Sequence, residues 1–288
     1  MKIVHYNNEM TIGGVQELIG LIQKYSKHKI IVLCNENGII GDEIKARGGL
    51  ITNDYGILDQ ADIVHTHTCG NDTNKVIKIC EQLVIPFIET IHSPQPSITG
   101  ADRITCVAKF YQLANYRYIP PMIEIDKYKK SNGDAIGRIG RLVQEKRFED
   151  FIQVADRLPQ YKFLLAGVPE INNKYYWGWT RTPWEFYQKL KVFLYPTLDE
   201  ACPMAIVGAM ASKIPVITYD LPAARELLGG NGILVNYGDI DQLTKMTIEV
   251  YEHPEKYKDM VDRAYRIAQK YDVKKVIKQY DDLYESLK

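Results

Sequence analysis

Short apolar runs that do not alternate with polar residues, each followed by a helical pattern, limit what this chain can fold into more than any other feature. The first half carries KIVHY, KIIVLC, DIVHTH, PFIETI and RITCVA, with helical patterns over Gly14 to Tyr25 and Thr73 to Leu83. A strand that is apolar on both faces must be covered on both faces, and helices between such strands supply the crossovers. The expected product is a parallel α/β sheet with functional groups on loops at the carboxyl ends of the strands. The rhythm breaks at PPMIEIDKYKKSNGD, Pro120 to Asp134, a polar stretch with two prolines and an Asn-Gly pair that reads as a connector. It restarts with AIGRIGRL, a helix from Phe148 to Arg157, KFLLAG, a helix near Glu185 to Lys189, VFLYPT, a helix from Pro203 to Ala211, and PVITYD. Beyond Ile240 the pattern is helical, with Met260, Val261, Ala264 and Ile267, then Val273, Val276, Ile277, Tyr280 and Leu283, at helical spacing. Two Rossmann-like domains are expected, residues 1–121 and 122–270, with a last helix over 271–288.

At 288 residues the chain is long enough for two cores. Its 36 basic and 36 acidic side chains cancel and are mixed along the chain, which argues against nucleic acid as a partner. The five cysteines, Cys34, Cys69, Cys80, Cys106 and Cys202, are odd in number and lack CxxC spacing, which fits a reducing cytoplasm better than secretion. The opening MKIVHY already reads as a strand, and no apolar run reaches the length of a membrane span. A soluble, cytoplasmic protein with at most peripheral membrane contact is expected.

Two fragments carry chemistry. In FLYPTLDEACPMAIVGAMA a strand ends near Tyr195, a loop presents Asp199 and Glu200, and a helix starts near Pro203, where proline suits the first turn. Free backbone N–H groups there, including those of Cys202 and Met204, suit an anion or sugar hydroxyls, and Glu200 is placed to accept hydrogen bonds from a polyol. In IGRIGRLVQEKRFEDF a strand ends near Gly140, and Arg141 and Lys146 occupy the following loop. Two cations on one loop suit a diphosphate, arginine as a fork and lysine as a point charge. Taken singly, each fragment also fits a solvated loop beside an ordinary helix.

Together the fragments resemble glycosyltransferase family 4. GRLVQEKR is similar to the family's GRLxxEKG, DEACPMAIVGAMASKIPVI to EGFGxxxxEAMAxGxPVI, and RELLGGNGILV to its REL-x-NGxLV. In the first half Gly13, Gly14 and Val15 resemble the GGV loop, DIVHTH resembles DVVHxH, PFIETIHS resembles PVVxTxH, and ADRITCVA resembles ADRIIxVS. The resemblance runs in order along almost the whole chain. It implies a GT-B fold, with two Rossmann-like domains whose parallel sheets face an interdomain cleft.

The activity implied is metal-independent transfer of a sugar from a nucleotide-diphosphate donor, UDP or GDP, with retention of anomeric configuration. The acceptor is a glycan, lipid, protein or small molecule, and no cofactor is implied. By resemblance Arg141 and Lys146 bind the diphosphate, Glu200 contacts the donor sugar, and Ala201, Cys202, Pro203 and Met204 line its site. Gly13 and Gly14 allow close backbone approach, and His92 faces the reacting sugar. Trp179, with Tyr175, Tyr176 and Trp177, lies near the expected base pocket, where aromatics either stack on a base or pack a core. His65 and His67 share one strand face, and a metal site needs more ligands than a pair.

Two other functions stay open on the same fold: a non-catalytic protein that binds a sugar nucleotide or glycan, and a sugar-nucleotide epimerase. A nicotinamide enzyme is disfavoured, because GxGxxG is absent from the first strand-loop-helix unit. The chief departure from the resemblance is Gly208, eight positions after Glu200, where a second glutamate for the ribose is expected. Its loss is worth roughly ten- to a hundredfold in nucleotide affinity. Glycine inside a helix costs about 1 kcal/mol against alanine, so the sequence offers no local reason for it. Arg147 also stands where glycine is usual.

Overall fold

The computed structural model describes residues 1–288 apart from 68–71, 95–96 and 98, so Cys69 lies outside the described residues. The chain divides into two compact units: Met1–Ile123 with Val273–Lys288, and Glu124–Asp272. Both boundaries fall two residues beyond those read from the sequence.

The first unit holds a seven-stranded parallel sheet of β1 (Lys2–Tyr6), β2 (Lys29–Leu33), β3 (Leu50–Thr52), β4 (Ile63–His67), β5 (Phe87–Ile91), β6 (Arg103–Cys106) and β7 (Tyr116–Tyr118). Between strands run α1 (Gly14–Tyr25), α2 (Ile39–Ala46) and α3 (Asp72–Leu83). The second unit holds six parallel strands, β8 (Ala135–Arg141), β9 (Phe163–Val168), β10 (Tyr176–Gly178), β11 (Leu190–Tyr195), β12 (Val216–Tyr219) and β13 (Ile233–Val235). Its helices are α4 (Phe148–Arg157), α5 (Pro183–Tyr187), α6 (Met204–Ala211), α7 (Pro222–Leu228), α8 (Ile240–Glu252) and α9 (Lys258–Ala268). The chain ends in α10 (Val273–Glu285), part of the first unit.

Strand order is β3-β2-β1-β4-β5-β6-β7 in one sheet and β10-β9-β8-β11-β12-β13 in the other. Both follow the doubly wound plan in which the order reverses beside the first strand, between β1 and β4 and between β8 and β11. In such sheets the crevice at the reversal, outside the carboxyl ends of its two strands, is where small ligands collect. The strands form because they are buried on both faces; every residue of β4, β5 and β12 is buried. The apolar stripe at the end of the sequence finds its surface here. Val273, Val276, Ile277, Tyr280 and Leu283 of α10 pack with Leu18 and Ile22 of α1 over Ile3, Ile63 and Ile88.

Short elements escape the sequence pattern: α2, α7 and the three-residue strands β3, β7, β10 and β13 are too brief to show a period. Two helix starts differ from expectation. The helix read near Glu185 to Lys189 is α5, drawn earlier because Pro183 begins it. Pro203 caps α6 from outside, with φ −72° and ψ 95°, rather than forming its first turn.

Candidate functional site

The reversal between β8 and β11 brings together residues 54 positions apart. Lys146 follows β8 in a short 3₁₀ turn, and Glu200 follows β11. Lys146 Nζ lies 2.9 Å from Glu200 Oε1 and donates to the Asp199 carbonyl at 2.7 Å. The backbone joins the same two loops, Leu198 N–H donating to Glu145 O at 3.1 Å. Tyr195, the last residue of β11, donates its hydroxyl to Glu200 Oε1 at 2.8 Å, with Thr197 Oγ1 at 3.3 Å from the same atom. Burial holds the Tyr195 phenol well above its ordinary pKa, so it stays a donor.

Glu200 is thus clamped through one oxygen, and Oε2 takes no partner among the described residues. Lys146 spends two of its three donors inside the protein and has one to give. Arg141, the exposed last residue of β8, acts electrostatically on Tyr195 and takes no hydrogen bond among the described residues. Ala201, Cys202, Pro203 and Met204 continue from Glu200 into α6, whose start no side chain caps. Burial pushes the Cys202 thiol up, so it remains a thiol.

Sequence reasoning passed over Arg138, although a charge inside the apolar run AIGRIGRL is a visible signal. It is fully buried in β8, its guanidinium 5.2 Å from the Tyr195 ring centre. It donates through Nη2 to the Lys146 carbonyl, while Nε and Nη1 have no partner among the described residues. Burial lowers its pKa against the pull of Tyr195 and Glu200. A buried cation therefore lies directly behind the Lys146–Glu200 pair.

Gly208 has the structural reason that the sequence withheld. A Cβ there would fall 2.6 Å from the Tyr187 ring, and Tyr187 is itself buried, donating to Ala205 O at 2.7 Å. Glycine and tyrosine fill the space together, and a glutamate at 208 has no room. Arg147 is equally legible in three dimensions. It takes the left-handed conformation, φ 47° and ψ 41°, which explains glycine's usual place there. Its fork on Asp150, at 3.0 and 2.8 Å, offsets that strain.

The other expected residues lie elsewhere in the second unit or in the first unit. Trp179 is 38% exposed; Tyr175 and Tyr176 pack against the second unit's core, and Trp177 against Phe186. Gly13, Gly14 and His92 belong to the first unit. A Cβ at Gly14 meets open space, whereas one at Gly13 would strike the Gln16 amide.

His92 follows β5 and joins a histidine cluster at the other reversal, between β1 and β4. His5 and His65 are register partners across these strands. The contacts run His92 Nε2 to His67 Nδ1 at 3.0 Å, His67 Nε2 to His5 Nδ1 at 2.9 Å, and His5 Nε2 to Tyr284 Oη at 3.0 Å. They continue from Tyr284 Oη to His65 Nδ1 at 2.9 Å and from His65 Nε2 to Thr90 Oγ1 at 2.6 Å. Burial lowers His5 to about 3 and His92 to about 4, and holds His65 and His67 well below the usual range. Ligating nitrogens of His5, His65 and His67 lie within 4.8 Å of one another, but all six nitrogens of these rings already face hydrogen-bond partners. A cation would have to break that chain to bind.

Known proteins resemble this chain in sequence or in fold. Residues 133–253, spanning most of the second unit, match the family model described as Glycosyl transferases group 1. The alpha-galactosylglucosyldiacylglycerol synthase of Streptococcus pneumoniae is 22% identical over 64% of this chain and 55% of its own. The O-antigen biosynthesis glycosyltransferase WbnH of Escherichia coli is 26% identical over 52% of this chain and 45% of its own. The chain thus matches about half the length of these curated relatives. Among solved structures, Anabaena HepE in complex with UDP and glucose superposes with a TM-score of 0.85 at 16% identity, covering 99% of this chain and 100% of that one. Sucrose-phosphate synthase from Thermosynechococcus elongatus gives 0.76 at 14% identity, covering 100% and 99%. No helix among the described residues is long and apolar enough to cross a membrane. The chain has the GT-B fold, and its second unit carries the Glycosyl transferases group 1 match.

Proposed function

We propose that this chain is a glycosyltransferase of the family 4 type, moving a sugar from a nucleotide-diphosphate donor to an acceptor hydroxyl with retention and without a metal ion. The observation that carries the reading is the meeting of Lys146 and Glu200 at the sheet reversal, with Arg141 exposed on the adjoining strand end. Arg141 and the third Lys146 donor stabilise the diphosphate as charge grows on it in the transition state. Glu200, fixed through Oε1, offers Oε2 to sugar hydroxyls and orients the anomeric carbon. The bond from that carbon to the diphosphate breaks, the acceptor oxygen attaches on the same face, and its proton passes to the leaving diphosphate. His92 contacts the donor sugar, and UDP is the first nucleotide to try, because HepE binds it. The protein acts in the cytoplasm.

The test is a panel of UDP-, GDP- and ADP-sugars, scored for thermal stabilisation and nucleotide release, with product configuration read by NMR. A responsive donor should lose about a hundredfold or more in kcat/KM on Arg141→Ala or Glu200→Ala. If neither variant alters binding or turnover, the site is misplaced. A second reading, binding without turnover, is favoured by one observation: Tyr187 fills the space that a ribose-binding carboxylate at 208 would need. Stabilisation by a donor with no nucleotide release under any acceptor would select it.

A further inference from the structure

The chain from His92 to His65 obeys a simple proton count. Four contacts link five groups in line: His92, His67, His5, Tyr284 and His65. Burial keeps the four rings neutral, so each ring and the phenol contributes one proton, five in all. Each contact holds one proton. The fifth then sits at an end, on His92 Nδ1 or on His65 Nε2, or else on the Tyr284 oxygen outside both of its contacts. Placing it at one end fixes every other proton. With the proton on His92 Nδ1, all four histidines carry hydrogen at Nδ1; with it on His65 Nε2, all four carry hydrogen at Nε2. The one remaining arrangement has His5 and His65 both donating to Tyr284, which leaves a buried O–H without an acceptor.

We infer that His5, His65, His67 and His92, joined through Tyr284, form one cooperative tautomer unit that decides whether His92 presents a donor or a base at Nδ1. His67, His5 and Tyr284 are positioning residues, acting through His92. Nδ1 is the ring nitrogen that His92 has to offer, since it takes no partner among the described residues while Nε2 is committed to His67. Helix α10 takes part in this hydrogen-bond chain through Tyr284, which hydrogen-bonds to both His5 and His65, register partners on adjacent strands. This inference deepens the proposed function and rests on it for the role of His92, but the tautomer unit itself stands on the hydrogen-bond geometry and the neutrality of the buried rings.

The test is long-range proton–nitrogen NMR on the full chain labelled with nitrogen-15 at histidine. At pH 7 the four rings should be neutral and share one tautomer, with nitrogen–nitrogen couplings across the His92–His67 and His67–His5 contacts. Mixed tautomers, a doubly protonated ring or absent couplings would overturn the unit, and this wild-type spectrum decides the point even if variants misfold. Tyr284→Phe should release the shared tautomer and lower kcat about three- to tenfold with donor KM unchanged. Tyr280→Phe is the control. Its ring lies 6.1 Å from His65 but its hydroxyl has no partner among the described residues, so both readouts should stay as in wild type. A shared tautomer with unchanged kcat in Tyr284→Phe ends the positioning role. A shared tautomer in a protein that turns over no donor leaves the unit standing and removes the proposed activity instead.

Discussion

The two sheets follow one plan, yet the polar groups at their reversal points are opposites. Between β8 and β11 the cluster is ionic: Lys146 against Glu200, Arg141 exposed, Arg138 buried behind. Between β1 and β4 it is neutral, three fully buried histidine rings tied to one another, to His92 and to Tyr284. A partly exposed cation keeps its charge and has it to give to an anion. A buried imidazole surrenders its charge and keeps only the choice of which nitrogen bears the proton. The same topology thus supplies a fixed field in one unit and a set of tautomers in the other.

Acid should break this comparison most forcefully. His5, His65 and His67 have folded pKa values below the unfolded value near 6.5, so the unfolded chain binds more protons in acid. Their neutral burial is compatible with full stability above pH 6.5, and stability is lost as pH falls from there toward the folded values. Each ring costs up to about 1.4 kcal/mol per pH unit, and half that at pH 6.5, so three rings remove roughly 5 kcal/mol between pH 6.5 and 5. That rivals the whole stability of many domains. Hydrogen exchange at β1 and β4 should accelerate far more over this interval than exchange at β8 and β11, since the second unit's one histidine, His253, is exposed. Equal acceleration in both sheets would contradict the contrast.

Next in size is Gly208→Glu. It adds a side chain 2.6 Å from a buried ring and places a carboxylate where every neighbour in α6 from Ile206 to Ala211 is buried. Overpacking and an unpaired charge together should cost about 3 kcal/mol or more in denaturant unfolding. Adding Tyr187→Ala should recover part of that loss. A single variant within about 1 kcal/mol of wild type would show that the ring yields easily, and that glycine is here for another reason.

Most of the architecture was legible because burial on both faces leaves a mark in sequence. The runs Lys2–Tyr6, Gly14–Tyr25 and Phe148–Arg157 coincide with elements of the structure. Arg141, Lys146 and Glu200 stood out because loop charges at strand ends are conspicuous. Contacts set by packing left no such mark. Nothing in sequence pairs His5 with Tyr284, 279 positions away, or Tyr187 with Gly208, since each pair is made by the way helices close over a sheet. A lone histidine in an apolar strand, and a glycine in a helix, look like noise until their neighbours are known.

Lys146→Met probes the ionic side. Removing one charge that stabilises a growing anion should lower kcat/KM for a responsive donor about 10²- to 10³-fold. Folding stability should change little, because Glu200 keeps Tyr195 and Thr197 and the pair is not fully buried, at 15% and 11% exposure. Unfolding of the variant under conditions where wild type is stable would recast Lys146 as structural.

The smallest effect is expected where the charge is deepest. Arg138 is wholly buried, one of its three nitrogens is bonded, and burial already lowers its pKa. Such a charge contributes little to folding, and apolar replacements of buried ions are often neutral or stabilising. Arg138→Met should therefore leave stability unchanged or raise it by up to about 2 kcal/mol. Nucleotide-diphosphate affinity should fall about tenfold, because a cation behind Tyr195 and Lys146 adds to the field that an anion meets there. A loss of more than about 2 kcal/mol with affinity intact would mean that Arg138 holds the loop rather than the field, and the two reversal points would differ less in kind than their charges suggest.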